Sequence, residues 1–426
     1  LVWVLGNASY RNIFSSDDPQ IQGLKILMPK SDIVFCFSDT GGGHRSATEA
    51  IEAAIEELLN QPGAFHDISV LADNVVEKTH PINRAFVDFY NFLLRHSQSS
   101  MKYYFWFIQF FKPNNSGPGY AISSKYLKEL LVRNEPSVVV VVHPMIAYYL
   151  GRAIKELGIL EKTKLITVIT DPNAQLWRGW ACPDSQLTIV PNQVTFDKLV
   201  EWGMDVGKLK IVGMPVHPEF CKPAQVEPHE FKLNLGLEPD RYTVCINAGW
   251  AGGGNMIAIY RALERIDRAI QVVFLCGHNQ SLYQKATQEA SKSRIPTAVL
   301  PFHDRLADLM AAMDLMITKA GGLTTYEAVA RRLPLAFDMI TPPMPQEAGT
   351  IDILVENRLA SRIVRPKDIL SIVQAAPEKR SNYLHGELPS AQSLDRVDAV
   401  YDIAKIILRN VDIELLLKPP IETRIN

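Results

Sequence analysis

The chain has 426 residues, 47% of them hydrophobic, and a formal net charge of −2. That length admits two or three domains with full cores, and the near-neutral balance argues against nucleic acid as a partner. Five scattered cysteines without a CxxC pair point to buried thiols in a reducing compartment, and the ten histidines show no metal-ligand spacing, so no metal site is expected. No apolar run reaches the roughly 18–20 residues that span a bilayer. There is no initiator Met, so the start is expected to be processed, trimmed or partial, and residues 1–32 read as irregular.

The first ordered unit is an apolar run (33–37, IVFCF), a glycine loop (SDTGGGH, 38–44) and an amphipathic pattern with Ala47, Ala50, Ile51, Ala54, Ile55 and Leu58 on one face. This spacing predicts strand, loop and helix. Gly42 and Gly43 let a backbone approach another molecule, and the helix start behind them offers free N–H groups and a positive dipole end. His44 stands at that mouth, where an imidazole can move a proton near neutral pH. A tight turn with a solvated histidine fits these residues equally well at this point.

A short strand is expected at 68–71, then a long aromatic stretch over 81–111 with mostly helical period. Residues 103–111 hold seven aromatics, among them Tyr103, Tyr104, Phe105, Trp106 and Phe107, between Lys102 and Lys112. Rings with basic flanks suit an element lying in a membrane surface, with anionic lipids as added partners; a buried aromatic helix is the alternative. After a loop (113–119) comes a helix (120–133), then VVVVV (138–142), a run fit for a parallel strand buried on both faces. Further strands at 165–169, which runs into Thr170-Asp171-Pro172, and at 187–190 and 209–212 alternate with helices.

The proline-rich stretch 213–228 reads as a linker. Alternation then restarts, with strands at 242–247, 271–276, 297–300, 315–317 and 335–337, and a further helical stretch at 390–409. Two similar α/β halves result, each opening on a strand and a glycine loop. Such halves facing one another make a cleft with the sites at the strands' carboxyl ends. The expected division is 1–223, 224–400 and a terminal helix end and tail, 401–426.

In the second half, Gly252, Gly253 and Gly254 mirror the first loop as a backbone cradle for phosphate. The richest stretch is TKAGGLTTYEA (318–328). Gly321 and Gly322 open a helix, Thr324 and Thr325 add donors in its first turn, and a pyrophosphate would sit there. Glu327, one turn in, suits a pair of ribose hydroxyls or, alternatively, a solvated carboxylate at a helix start, and Lys319 suits phosphate charge or an ordinary surface position equally well. No GK[ST] ends the glycines, so a P-loop is excluded. Gln346 and Glu347, at another helix start, suit sugar hydroxyls or a helix cap.

SDTGGGH (38–44), VHP (142–144), ITD (169–171), VGMPV (212–216), ITKAGGLTTYEA (317–328), LP (333–334) and QEAG (346–349) stand in one order. Together they resemble the monogalactosyldiacylglycerol synthase family and its bacterial diacylglycerol glucosyltransferase cousins. These are similar in turn to the lipid-intermediate N-acetylglucosaminyltransferases of peptidoglycan synthesis. The resemblance implies a GT-B fold, two Rossmann-like parallel-sheet domains facing across a cleft. It implies a lipid acceptor in the N-terminal half and a UDP-hexose in the C-terminal half. By position it gives diphosphate to 321–325 and Gly252–Gly254, ribose to Glu327 and hexose to Gln346 and Glu347. It assigns acceptor activation to His44, with Asp171 as second choice, and places Trp177 near a matching tryptophan. The implied reaction inverts the anomeric carbon and needs no bound metal or other cofactor. It moves galactose, or next glucose, to diacylglycerol, on a bacterial cytoplasmic membrane face or a plastid envelope. Trp250 and Thr350 depart from the family pattern. The rival readings are a 2-epimerase-like isomerase, an N-acetylglucosaminyltransferase with another lipid, and a non-catalytic sensor.

Overall fold

The computed structural model describes residues 31–61, 68–96, 103, 106, 108, 110, 113–376, 396 and 398–411. The first sheet has six parallel strands, β1 (Ile33–Cys36), β2 (Val70–Asp73), β3 (Val138–Val141), β4 (Lys164–Val168), β5 (Leu187–Val190) and β6 (Leu209–Ile211), in the order β2-β1-β3-β4-β5-β6. The all-valine β3 lies between β1 and β4, in register Ile33↔Val138 and Val138↔Lys164, and all four of its residues are buried. β-Branched side chains fit this position because helices cover both faces.

Those helices are α1 (Gly43–Leu59), α2 (Val75–Thr79), α3 (Pro81–His96), α4 (Gly117–Asn134), α5 (Ala147–Glu156) and α6 (Gln193–Glu201). The strand expected at 68–71 begins two residues later. The expected linker carries a short helix, α7 (Pro218–Cys221), and a second, α8 (Pro228–Asn234), starts at its last residue; each is opened by a proline in its first turn. Proline has no N–H to lose there and its φ is already helical, so a proline-rich run is compatible with helix starts as well as with a linker.

The second sheet has β7 (Tyr242–Asn247), β8 (Ile270–Leu275), β9 (Thr297–Leu300), β10 (Leu315–Thr318), β11 (Leu335–Asp338) and β12 (Ala360–Ile363), all parallel, in the order β12-β11-β10-β7-β8-β9. Around it lie α9 (Met256–Leu263), α10 (Gln280–Ala290), α11 (Leu306–Ala312), α12 (Gly322–Ala330), α13 (Pro345–Glu356) and α14 (Asp368–Ala375). The strand β12 and the helix α14 have no counterpart among the sequence expectations. Only two of the four β12 residues, Ala360 and Ile363, are buried, so this edge strand lacks the continuous apolar signal of a central one.

The last described helix, α15 (Ala399–Leu408), crosses the expected 400/401 division and packs back on α1. Its Tyr401 hydroxyl donates to Glu57 on α1 at 2.7 Å. One core cluster accordingly runs from Ile51 and Ile55 through Ile403 and Ile407 to Tyr326 and Val329, so both halves share buried apolar surface. Among the described residues, no helix is long and apolar enough to cross a membrane.

Candidate active site

In each sheet one pair of neighbouring strands has its connections leaving in opposite directions, and a crevice opens at that point. In the first sheet the pair is β1 and β3; in the second it is β7 and β10. The loops leaving these four strands carry the sequence-predicted residues His44, Gly252–Gly254 and Gly321–Gly322, and also His143.

The loop after β1 is held by groups from α2 and α3. Glu77 accepts from the Ser38 hydroxyl at 2.8 Å and from the Asp39 N–H at 2.6 Å. Asn91 accepts from the Gly41 N–H at 3.0 Å and donates to the Asp39 carbonyl at 3.1 Å. Gly42 caps α1 with φ of 84°, in the left-handed region, and a Cβ there would lie 3.4 Å from Trp250 of the other half. Glycine satisfies both demands.

His44 sits in the first turn of α1, edge-on to His143 with centroids 4.5 Å apart and 6.0 Å from Trp180. Burial lowers its pKa to about 4 against a bond to the Val142 carbonyl, which favours the charged form. The imidazole is therefore neutral at pH 7. One ring N–H serves Val142 and the other nitrogen keeps a lone pair; the Thr170 hydroxyl lies 3.3 Å from Nδ1. His143 accepts from the Met145 N–H at Nδ1, which leaves its proton on Nε2, directed at the Thr40 hydroxyl 3.0 Å away. Burial, then the nearby His44, lowers its pKa well below the usual value. Asp171 accepts from the Trp180 indole N–H at 2.6 Å; burial raises its pKa and that bond opposes the rise.

These groups close one end of a cavity of about 310 Å³, with Trp177 beside them. Its walls are apolar, including Ile82, Phe86 and Val87 of α3 and Ile108, Ile122 and Ile146. Exposed apolar side chains lie on α3, two of whose residues, Ile82 and Phe86, also line the cavity, and in the segment that contributes Ile108 to it. Ile82, Phe86 and Phe89 follow helical spacing on α3 and are about half exposed, and Tyr103, Trp106 and Phe110 are two-thirds exposed. Trp106 and Phe110 stack with centroids 5.7 Å apart, and exposed apolar side chains in this number suit an interaction site. Tyr104, Phe105 and Phe107 lie outside the described residues.

In the second half, the Gly252–Gly254 loop is tied by backbone bonds to Ala248 and Gly249, and by Asn279, which donates to the Gly252 carbonyl at 2.7 Å. Asp338, at the end of β11, accepts from the Asn255 N–H at 2.6 Å, and Gly254 packs against it and the stem of Lys319. Gly321 precedes α12 and Gly322 is its first residue. Thr324 bonds to Glu327. Thr325 faces the interior, where its buried hydroxyl has no hydrogen-bond partner among the described residues, so it does not point at the loop as expected. Glu327 is only 6% exposed, and burial, then the charge of Glu219, raises its pKa to about 8. In α13, Glu347 accepts from the Met344 N–H at 3.1 Å as a helix cap; burial raises its pKa, and Lys319 and that bond only partly oppose the rise. Gln346 is the second residue of α13, and its side chain lies outside the described residues.

The halves meet across the cleft. A Cβ on Gly322 would lie 2.9 Å from the Thr170 carbonyl oxygen. Tyr326 bonds to Asn192, and Asn173 donates to the Thr350 hydroxyl at 3.0 Å. The loop of 170–173, with Asp171 in its centre, thus lies against the start of α12 and the first turns of α13. Trp250, an unexpected residue in a glycine loop, covers Gly42. Among the described residues no group of three or more His, Cys, Asp and Glu is placed to hold a metal ion.

Sequence reasoning missed Glu77, Asn91, Asn173 and Asp338, which position loops without belonging to a motif. Only Asn91 had a visible signal, an amide inside the apolar run FVDFYNFLL.

Residues 44–216 match the family model described as monogalactosyldiacylglycerol (MGDG) synthase, and 256–345 match the glycosyltransferase family 28 C-terminal domain. The chain is 30% identical over 384 residues to a Nicotiana tabacum protein named “Probable monogalactosyldiacylglycerol synthase, chloroplastic”, covering 88% of this chain and 70% of that one. The crystal structure of MurG from Acinetobacter baumannii superposes with a TM-score of 0.55 at 14% identity, over 89% of this chain and all of the other. UDP-GlcNAc 2-epimerase from Methanocaldococcus jannaschii gives 0.54 at 13%, over 89% and 99%. These two share the GT-B arrangement of two facing parallel sheets, and that fold alone does not separate transfer from epimerisation.

Proposed function

The chain belongs to the monogalactosyldiacylglycerol synthase family and is a UDP-sugar-dependent glycosyltransferase, and we propose that it moves a hexose, galactose before glucose, from UDP to the free hydroxyl of diacylglycerol. The observation that carries this reading is the mainly apolar cavity whose lining includes His44, His143 and Asp171, the last in a loop that packs against Gly322 at the start of α12. Such a cavity suits acyl chains, and its polar end suits the single hydroxyl that must react.

The lipid hydroxyl loses its proton to His44, the first choice of general base, with Asp171 the second. Its oxygen forms a bond to the anomeric carbon as the bond to the β-phosphate breaks, and UDP leaves with the electron pair. One in-line displacement inverts the anomeric centre. The Gly252, Gly253 and Gly321 N–H groups are taken by the Gly249, Ala248 and Lys319 carbonyls, so the N–H groups of Gly254 and Gly322, with Lys319, stabilise the departing diphosphate, and this electrostatic support is the part a metal would otherwise play. Glu327 accepts from the ribose hydroxyls. Gln346 and Glu347 orient the hexose, and the closed cleft supplies positioning. The exposed rings of α3 and of Tyr103, Trp106 and Phe110 enter the membrane surface from which the lipid comes, and the basic residues that flank them in sequence favour anionic lipids. The chloroplastic relative is consistent with a plastid envelope; a bacterial cytoplasmic face is the other setting. A 2-epimerase would need neither the apolar cavity nor an acceptor.

The test is incubation with UDP-galactose, UDP-glucose and UDP-N-acetylglucosamine, each with and without diacylglycerol vesicles. A hexosyl-diacylglycerol formed only with vesicles is expected. An altered nucleotide sugar formed without lipid would favour the isomerase.

A further inference from the structure

The loop carrying Asp171 touches the donor half at three places. The Thr170 carbonyl faces Gly322, Asn192 holds the Pro172 carbonyl at 2.8 Å and also bonds Tyr326, and Asn173 reaches Thr350. The last contact, like that of Asn192 with Tyr326, joins side chains across the cleft, and it is the more deeply buried of the two. Asn173 and Thr350 are each 1% exposed, they come from opposite halves, and their side chains meet at 3.0 Å. Gly349 lies against the same Asn173 side chain, with a Cβ there 2.8 Å from the asparagine Cβ.

Thr350 stands one turn beyond Glu347 on α13, and Asn173 stands two residues beyond Asp171. Asn173 also accepts from the Gln175 N–H at 2.8 Å, which fixes its amide orientation and turns its NH₂ toward Thr350. A buried amide and hydroxyl that satisfy each other only when the halves are together make a bond specific to the closed cleft. Separating the halves would leave both groups to seek water.

We propose that Asn173 and Thr350 form a clasp that sets the Asp171 loop against the helix holding the transferred hexose, so that acceptor and donor groups are aligned only in the closed enzyme. They are positioning residues; neither touches the reacting atoms. This rests on the reading of α13 as the hexose-binding helix.

The clasp bond acts on alignment more than on nucleotide binding, because neither Asn173 nor Thr350 belongs to 252–254 or 321–327. Thr350→Val keeps the shape and removes the hydroxyl, leaving the Asn173 NH₂ without that partner; Thr350→Ser restores the hydroxyl. Loss of such a buried bond is worth roughly tenfold. Thr350→Val is expected to lower kcat for transfer about tenfold with UDP affinity within twofold. It is expected to raise the share of hexose released to water, and Thr350→Ser is expected to restore both. Asn173→Ala should match Thr350→Val, and the double variant should be no worse than either single one. Multiplied losses in the double variant, or an unchanged transfer-to-hydrolysis ratio in Thr350→Val, would overturn the clasp.

Hydrogen exchange on the intact protein separates this from the functional reading. In Thr350→Val, amides of 170–175 and of 345–356 are expected to lose protection together. A loss confined to one of the segments would overturn the clasp even if wild-type protein made no glycolipid. That last failure would instead count against the proposed reaction.

Discussion

Replacing Glu327 with Gln tests the donor site through stability as well as activity. Glu327 is buried one turn into α12, its charged form disfavoured by desolvation and by Glu219, and its pKa is raised to about 8 from an ordinary 4.5. A carboxyl with a raised folded pKa leaves the folded state most stable below the unfolded value. That advantage is lost as pH climbs toward the folded one. Between pH 5 and pH 8 the loss is about 3–4 kcal/mol, from 1.36 kcal/mol per pKa unit over that window. Gln carries no charge in either state, so the variant lacks this slope. His44 acts in the opposite sense. With its pKa lowered to about 4, it stays neutral in the fold while the unfolded chain takes up a proton, so it destabilises as pH falls below about 6.5. The informative quantity is therefore the difference between variant and wild type, measured by urea unfolding at pH 5 and pH 8. Glu327→Gln should be more stable at pH 8 by a few kcal/mol, nearly equal at pH 5, and weaker for UDP. Parallel pH profiles for the two proteins would refute the burial argument.

Other expectations concern the remaining parts of the site. His44→Ala should keep UDP affinity within about twofold while losing transfer by about a hundredfold or more, as removal of a general base does; normal turnover would make His44 structural. Gly322→Ala places a Cβ 2.9 Å from the Thr170 carbonyl oxygen, so transfer should fall at least about tenfold with an unchanged circular dichroism spectrum. A wild-type rate would contradict the closed contact. Phe86→Asp with Trp106→Asp should weaken binding to lipid vesicles by about tenfold or more per ring lost, read by vesicle sedimentation, while turnover of detergent-dispersed diacylglycerol persists. Unchanged sedimentation would remove those rings from the membrane face.

The two-sheet plan was legible because buried parallel strands are short, apolar and closed by turn or loop residues, as in 33–37 before its glycine loop and 138–142 before His143-Pro144. The glycine motifs also located both switch points, since the crevices form where those strands end. What stayed hidden depends on long-range packing. Glu77, Asn91 and Asp338 act by reaching across to loops distant in sequence, and no local spacing encodes that reach. Thr325 looked like a first-turn donor, but a helix turn also carries an inward face, and Thr325 is on it. The proline-rich stretch 213–228 carried an equivocal signal, because proline both breaks chains and begins helices. Trp250 in a glycine loop looked like a mere departure until its contact with Gly42 gave it a place in the cleft.

The central claim is a direct displacement of UDP by a lipid hydroxyl across a closed cleft. Its most direct test follows the anomeric carbon of ¹³C-labelled UDP-galactose by NMR in the presence of diacylglycerol vesicles. The account predicts that the α-linked signal converts to a single β-linked galactosyl-diacylglycerol. An α-linked lipid product, or labelled sugar that never reaches the lipid, would contradict it.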